Sequence, residues 1–173
     1  MVKWIWAFFA SFFALMIEII ACSLGLVFPA IFFLSFYLSV SYSKTSGGII
    51  GAGTCIVSEI VLGRSTTALP LLIPLIIYAE FWRLSAERRY LITQTVSGAL
   101  IGFCYYVYCY LTENITLPFI FILRDPHFIL SLLATTIASA AGLPAILSLF
   151  DLSSTKIDLN IVRTKDAAQE SSL

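Results

Sequence analysis

The sequence has very little charge, and this shortage excludes whole classes of function. Only 12% of its 173 residues are charged, about half of the fraction that is typical of soluble globular domains. The formal net charge is zero and no basic run occurs, so the electrostatic footprint of a nucleic-acid-binding protein is absent. We therefore expect no nucleic-acid partner.

Histidine and cysteine are also scarce. His127 is the only histidine, and it is predicted to lie in a loop, so the sequence offers few residues for a metal site or for histidine catalysis. The cysteines show no CxxC spacing and stand in apolar stretches, where they are typical packing residues; they are Cys22, Cys55, Cys104 and Cys109. We expect neither a cofactor nor a metal ion.

Hydrophobic residues are what the sequence does have, at 60% of the chain, with a mean hydropathy of +0.97. A helix that crosses a bilayer needs about 20 apolar residues. The apolar segments supply six such helices, at about residues 4–21, 26–42, 47–63, 67–82, 90–112 and 128–150. The predicted fold is an all-α integral membrane protein, a bundle of about six transmembrane helices over residues 1–150, with a polar cytoplasmic tail at 151–173.

Lysine and arginine in the loops give this bundle an orientation, because cytoplasmic loops carry the excess of both residues. One side collects eight of them: Lys3, Lys44, Arg83, Arg88, Arg89, Lys156, Arg163 and Lys165. The other side has only Arg64 and Arg124. Both termini are therefore predicted to be cytoplasmic, with Trp4, Trp6 and Trp82 at the cytoplasmic interface.

Two acidic residues, Glu18 and Glu59, fall inside predicted spans, where each ionisable group costs about 2.5–3.5 kcal/mol. The orientation puts both toward the outer side, at the level of Arg64. One interpretation is that they reach headgroup water and anchor the helix ends. The other is a buried cluster in which Glu18, Glu59 and Arg64 neutralise one another and hold three helices together.

Small residues crowd the third predicted helix and allow helix backbones to approach closely within a membrane. Gly51, Cys55, Glu59 and Gly63 recur at every fourth position, so the acidic side chain shares the close-packed face. Proline interrupts two other helices, at Pro70 and Pro74 in the fourth and at Pro144 in the sixth. Each proline removes a backbone hydrogen bond and predicts a bend.

The segment from the third to the fourth helix resembles the rod-shape-determining MreD family. In that family an acidic residue follows a glycine by eight positions, a second glycine comes four positions later, and an aliphatic stretch then closes in tyrosine. Gly51, Glu59, Gly63 and Tyr78 match this spacing, and Pro144 near the middle of the last helix also fits. Glu59 replaces the usual aspartate, and Thr67 stands where a further glycine is usual.

The resemblance implies a non-enzymatic membrane scaffold or regulator of the bacterial cell-elongation (rod) complex, which sets cell shape and directs lateral peptidoglycan synthesis. It implies an inner-membrane location and protein partners of the MreC, MreB, RodA and transpeptidase kinds, besides membrane lipids. Its fold is similar to that of the substrate-binding S components of energy-coupling-factor vitamin transporters.

That fold similarity supplies the alternative, a transporter subunit that holds a small molecule in a cavity near the outer face. The lining would come from the tyrosines of the fifth helix, whose other interpretation is an aromatic belt; they are Tyr105, Tyr106, Tyr108 and Tyr110. A membrane-embedded enzyme would need a catalytic pair, and the spans offer only Glu18 with Glu59. We therefore expect no enzymatic activity.

Overall fold

The chain folds into helices, and no strand occurs among the residues that the computed structural model describes, namely 2–63, 67–85, 91–113 and 126–156. The helices are α1 (Val2–Ser23), α2 (Ala30–Ser41), α3 (Lys44–Leu62), a 3₁₀ turn (Leu69–Leu71), α4 (Leu72–Ser85), α5 (Leu91–Glu113) and α6 (Pro126–Lys156). By length and composition, four of them could cross a membrane: α1, α3, α5 and α6. The prediction of an all-helical chain is thus confirmed for the described residues.

Helix α2 lies at the centre of the bundle, where every residue from Ala30 to Val40 is buried. It packs against α1, α3, α4 and α6. It begins at Ala30 rather than at the predicted residue 26, because Pro29 occupies the N-cap and the proline ring keeps the preceding residue out of helical conformation. Its 12 residues span only about 18 Å.

Helix α4 also begins later than the predicted residue 67, and its prolines do not lie in the middle of a helix. Pro70 lies in the 3₁₀ turn, and Pro74 is the third residue of α4. The first N–H groups of a helix have no intrahelical acceptor, so proline costs no hydrogen bond there. These two prolines therefore mark where the helix starts, which corrects the expectation of bends.

Glycines bring two pairs of helices into close contact. On α3, a β-carbon added at Gly47 would stand 2.6 Å from the backbone nitrogen of Ser39 in α2. On α5, a β-carbon at Gly98 would overlap the carbonyl oxygen of Ser139 in α6. The small residues therefore set how closely α3 approaches α2 and how closely α5 approaches α6.

The bundle has two ends, and aromatic packing closes the one at which α1 begins, which we call the Trp6 end. The Trp6 ring lies 6.2 Å from the ring of Tyr42 and 5.7 Å from that of Phe150, centroid to centroid. Its indole N–H donates to Ser153 Oγ at 3.1 Å, and Tyr37 donates to Asp151 at 3.0 Å. The start of α1 and the ends of α2 and α6 are thereby joined.

Two of the three tryptophans are core residues rather than surface anchors. Trp6 is buried among the aromatic rings of the Trp6 end, and Trp82 is buried against Phe36. Trp4 alone is exposed. The rings of Trp6 and Trp82 therefore fill space between helices, and the location of the three tryptophans at the cytoplasmic interface stays a prediction.

Candidate functional site

Glu59 organises the opposite end of the bundle, which we call the Glu59 end. Its Oε1 atom accepts the backbone N–H of Ala68 at 2.6 Å and the hydroxyl of Thr67 at 3.2 Å. The thiol of Cys55, one turn earlier on α3, also donates to Oε1 at 3.4 Å. Ala68 is the N-cap of the 3₁₀ turn, so the carboxylate satisfies a backbone donor that the helical segment leaves without an intrahelical acceptor.

Gly63 completes the turn that brings this donor to Glu59. It ends α3 in the left-handed conformation, with φ of 61°, a region that glycine enters without the penalty a β-carbon imposes. Its N–H returns to the carbonyl oxygens of Glu59 and Ile60, as in a helix C-cap. The side chain of Glu59 and the backbone of Gly63 together fix the exit of the chain from α3.

Tyrosines of α5 connect this turn to the rest of the bundle. Tyr108 donates its hydroxyl to the carbonyl oxygen of Thr67 at 2.8 Å. One turn earlier, Tyr105 donates to Glu18 Oε1 at 3.4 Å, a long hydrogen bond between two fully buried side chains. Glu18 and Glu59 therefore lie at the same end of the bundle. Glu18 is linked to α5 directly by Tyr105, and Glu59 is linked to it through Thr67.

Of the predicted cluster of Glu18, Glu59 and Arg64, the structure describes the two glutamates, which lie toward the same end of the bundle. Glu18 bonds to Tyr105, whereas Glu59 bonds to the turn that leads into α4. Arg64 lies outside the described residues, so a three-membered cluster remains a prediction. The described contacts give Glu59 the role of a cap on the α3–α4 turn.

The other residues singled out by the sequence serve helix packing. A β-carbon at Gly51 would overlap the hydroxyl of Ser35 in α2. Tyr78 shares a hydrogen bond of 2.8 Å with Ser97 of α5, and its ring packs on Phe36. Pro144 lies within α6.

The four tyrosines of α5 that the transporter alternative would use for ligand binding divide into two pairs. Tyr105 and Tyr108 make the hydrogen bonds just described. Tyr106 and Tyr110 pack on Phe128 of α6, at ring distances of 5.7 and 4.5 Å. Their contacts with protein groups hold α5 in place, a role that sequence reasoning missed because the partners are distant along the chain.

An open apolar groove runs between α1 and α3, with a volume of about 550 Å³. Exposed Trp4, Phe8 and Phe12 form one side, and they follow one another at every fourth position of α1. Gly53 and Val57 of α3 line the other side, and nothing lies within 4 Å of a β-carbon added at Gly53. The aromatic residues at every fourth position of α1 are the sequence signal for this face.

Comparison with known proteins gives no relative. The chain matches no family model, no curated protein and no solved structure. Among the described residues, no group of three or more His, Cys, Asp or Glu side chains could hold a metal ion.

Proposed function

We propose that this chain is a scaffold of the bacterial inner membrane whose α1–α3 groove receives a transmembrane helix of a partner protein. All six helices then span the bilayer in a fold similar to that of the S components. The Trp6 end faces the cytoplasm, together with Lys44 at the start of α3 and Arg83 in the last turn of α4. Both termini are cytoplasmic, in keeping with the distribution of lysine and arginine.

The groove is the observation that carries this proposal. Within a bilayer, helices associate through close van der Waals packing, and small residues let two backbones approach. Gly53 offers such an approach because its position is open, whereas Gly47 and Gly51 are already occupied by α2. The aromatic side chains of α1 supply a large apolar wall for the incoming helix.

The resemblance to the MreD family suggests which complex the scaffold serves. In each of its matched positions, the side chain or the backbone serves packing or capping: Gly51 at α2, Glu59 and Gly63 at the turn, and Tyr78 at α5. Such roles suit a non-enzymatic component of the rod complex. Its partners would be of the MreC, MreB, RodA and transpeptidase kinds.

Affinity purification of the full chain from mild detergent, followed by identification of the recovered proteins, tests this proposal. We expect wall-synthesis membrane proteins from the native chain and much lower recovery with Gly53→Phe, which fills the groove. Ala141→Phe is the matched control, because Ala141 is a small exposed residue on α6. Recovery of transport ATPase subunits with a bound small molecule, or undiminished recovery with Gly53→Phe, would contradict the proposal.

A further inference from the structure

A second apolar space lies on another side of the bundle, between α4 and α5. These two helices pack mainly against α2 and α6, respectively, rather than against each other. The gap forms a partly enclosed cavity of about 140 Å³. Phe32 of α2 lines the cavity, and Leu75 of α4 and Ile101 of α5 form its two walls.

The two tyrosine hydroxyls beside this cavity are hydrogen-bonded to other side chains. Two tyrosine rings line it, those of Tyr78 and Tyr105. The Tyr78 hydroxyl bonds to Ser97 and the Tyr105 hydroxyl to Glu18. A ligand in the cavity would therefore meet aromatic rings and aliphatic side chains, which favours hydrocarbon over a polar molecule.

The size and position of the cavity narrow the choice of hydrocarbon. A dry apolar cavity of about 150 Å³ can hold a benzene-sized group, so this cavity can hold a short segment of a hydrocarbon chain. Exposed Pro74, Leu100 and Cys104 flank its opening, and residues 100–105 lie near the middle of α5 (Leu91–Glu113). In a protein that spans the bilayer, this depth is the hydrocarbon core.

We propose that the α4–α5 cavity binds a segment of one acyl chain of a membrane lipid. The inference rests on the membrane location in the proposed function, but not on the partner helix. The acyl chain enters from the side, past Cys104, and lies against the rings of Tyr78 and Tyr105. Because few contacts join α4 and α5, the side chains that line the cavity would lack dispersion contacts if it were empty, and the lipid segment supplies them.

Photocrosslinking tests this inference. The full chain is placed in phospholipid nanodiscs in which a fraction of the lipid carries a diazirine in the acyl chain, and adducts are located by mass spectrometry. We expect adducts on the cavity walls at Leu75 and Ile101, which are only 7% and 4% exposed. We also expect them on the outward Ile73, which is 66% exposed and faces any surrounding lipid.

A variant and its control sharpen the result. Cys104→Trp blocks the opening and should abolish most of the adducts at Leu75 and Ile101 while sparing those at Ile73. Cys22→Trp, at an exposed cysteine near the end of α1, should change none of them. Should Cys104→Trp fail to fold, the native chain alone decides, by comparison of the wall adducts with those at Leu34, which is buried within α2.

The possible outcomes distinguish failure of the lipid site from failure of the proposed membrane location. Adducts at Ile73 with no more at Leu75 and Ile101 than at Leu34 would overturn the lipid site and leave the membrane location standing. Wall adducts that survive Cys104→Trp in a folded protein would overturn it as well. Absence of adducts at every position, Ile73 included, would refute the membrane location and the lipid site together.

Discussion

Glu59 is an acidic side chain on an otherwise apolar face, and its described contacts are those of a cap on the α3–α4 turn. Its carboxylate accepts one backbone N–H and one hydroxyl at the start of the 3₁₀ turn. The stabilisation then comes from satisfying a backbone donor, which costs about 1–3 kcal/mol when it is buried and left unpaired. A charge cluster with Arg64 would instead need the negative charge itself.

The two explanations predict different results for substitutions at Glu59. Glu59→Gln keeps an oxygen that accepts the Ala68 N–H, so we expect nearly native stability. Glu59→Ala leaves that donor unpaired and should lower the free energy of unfolding by about 1–3 kcal/mol. Thermal unfolding in detergent measures both, with Arg64→Gln as the control for a charge effect. A loss with Glu59→Gln equal to that with Glu59→Ala would favour the charge cluster.

Among whole elements, α3 shows how glycines on one helix can serve opposite purposes. Gly47 lies against the backbone of α2, where no β-carbon fits, whereas Gly53 faces open space. We expect Gly47→Ala to destabilise the protein by about 1–3 kcal/mol through overpacking. Gly53→Ala should stabilise it by up to about 1 kcal/mol, because alanine is the better helix former.

The same unfolding measurement on these two variants checks this assignment of faces. Both substitutions add one methyl group to one helix, so the difference between them isolates the contact with α2. Equal effects of the two changes would mean that α3 does not pack on α2 through Gly47.

The sequence predicts the bounds of α5 closely and those of α2, α4 and α6 less well, since α6 (Pro126–Lys156) runs six residues past its predicted end at 150, into the predicted polar tail. Helix α5 (Leu91–Glu113) departs from the prediction of 90–112 by one residue at each end, because its apolar run is bounded by charged segments. Helices α2 and α4 begin late, since Pro29, Pro70 and Pro74 punctuate apolar runs that hydropathy alone treats as continuous. Local patterns also cannot show which residues meet across the bundle.

The candidate site illustrates that last limit. The recurrence of small residues at every fourth position from Gly51 to Gly63 puts Glu59 on the packed face of α3. Gly51 and Cys55 on that face are buried. The partners of Glu18 and Tyr78 lie on α5, 87 and 19 residues away along the chain. Nothing in the spacing of either residue specifies Tyr105 or Ser97 as its partner, because these pairings depend on how the helices assemble.

In the molecule as a whole, the proposed six-span arrangement depends on the central α2, a helix of only 12 residues. Alone, about 18 Å of helix is too short for a hydrocarbon core of about 30 Å. Its neighbours surround it, so its ends need not reach the headgroups, and residues 26–29 extend the path toward α1. In the proposed arrangement, the chain between α1 and α3 therefore crosses the bilayer surrounded by protein.

Cysteine labelling on either side of α2 tests this central claim most directly. Single cysteines are placed at Ser23, which ends α1, and at Thr45, in the first turn of α3, after Cys22, Cys55, Cys104 and Cys109 have been replaced by alanine. We predict that a membrane-impermeant maleimide labels Ser23→Cys in intact cells but labels Thr45→Cys only after permeabilisation. Labelling of both positions from the same side would contradict the crossing by α2 and, with it, the six-span membrane fold.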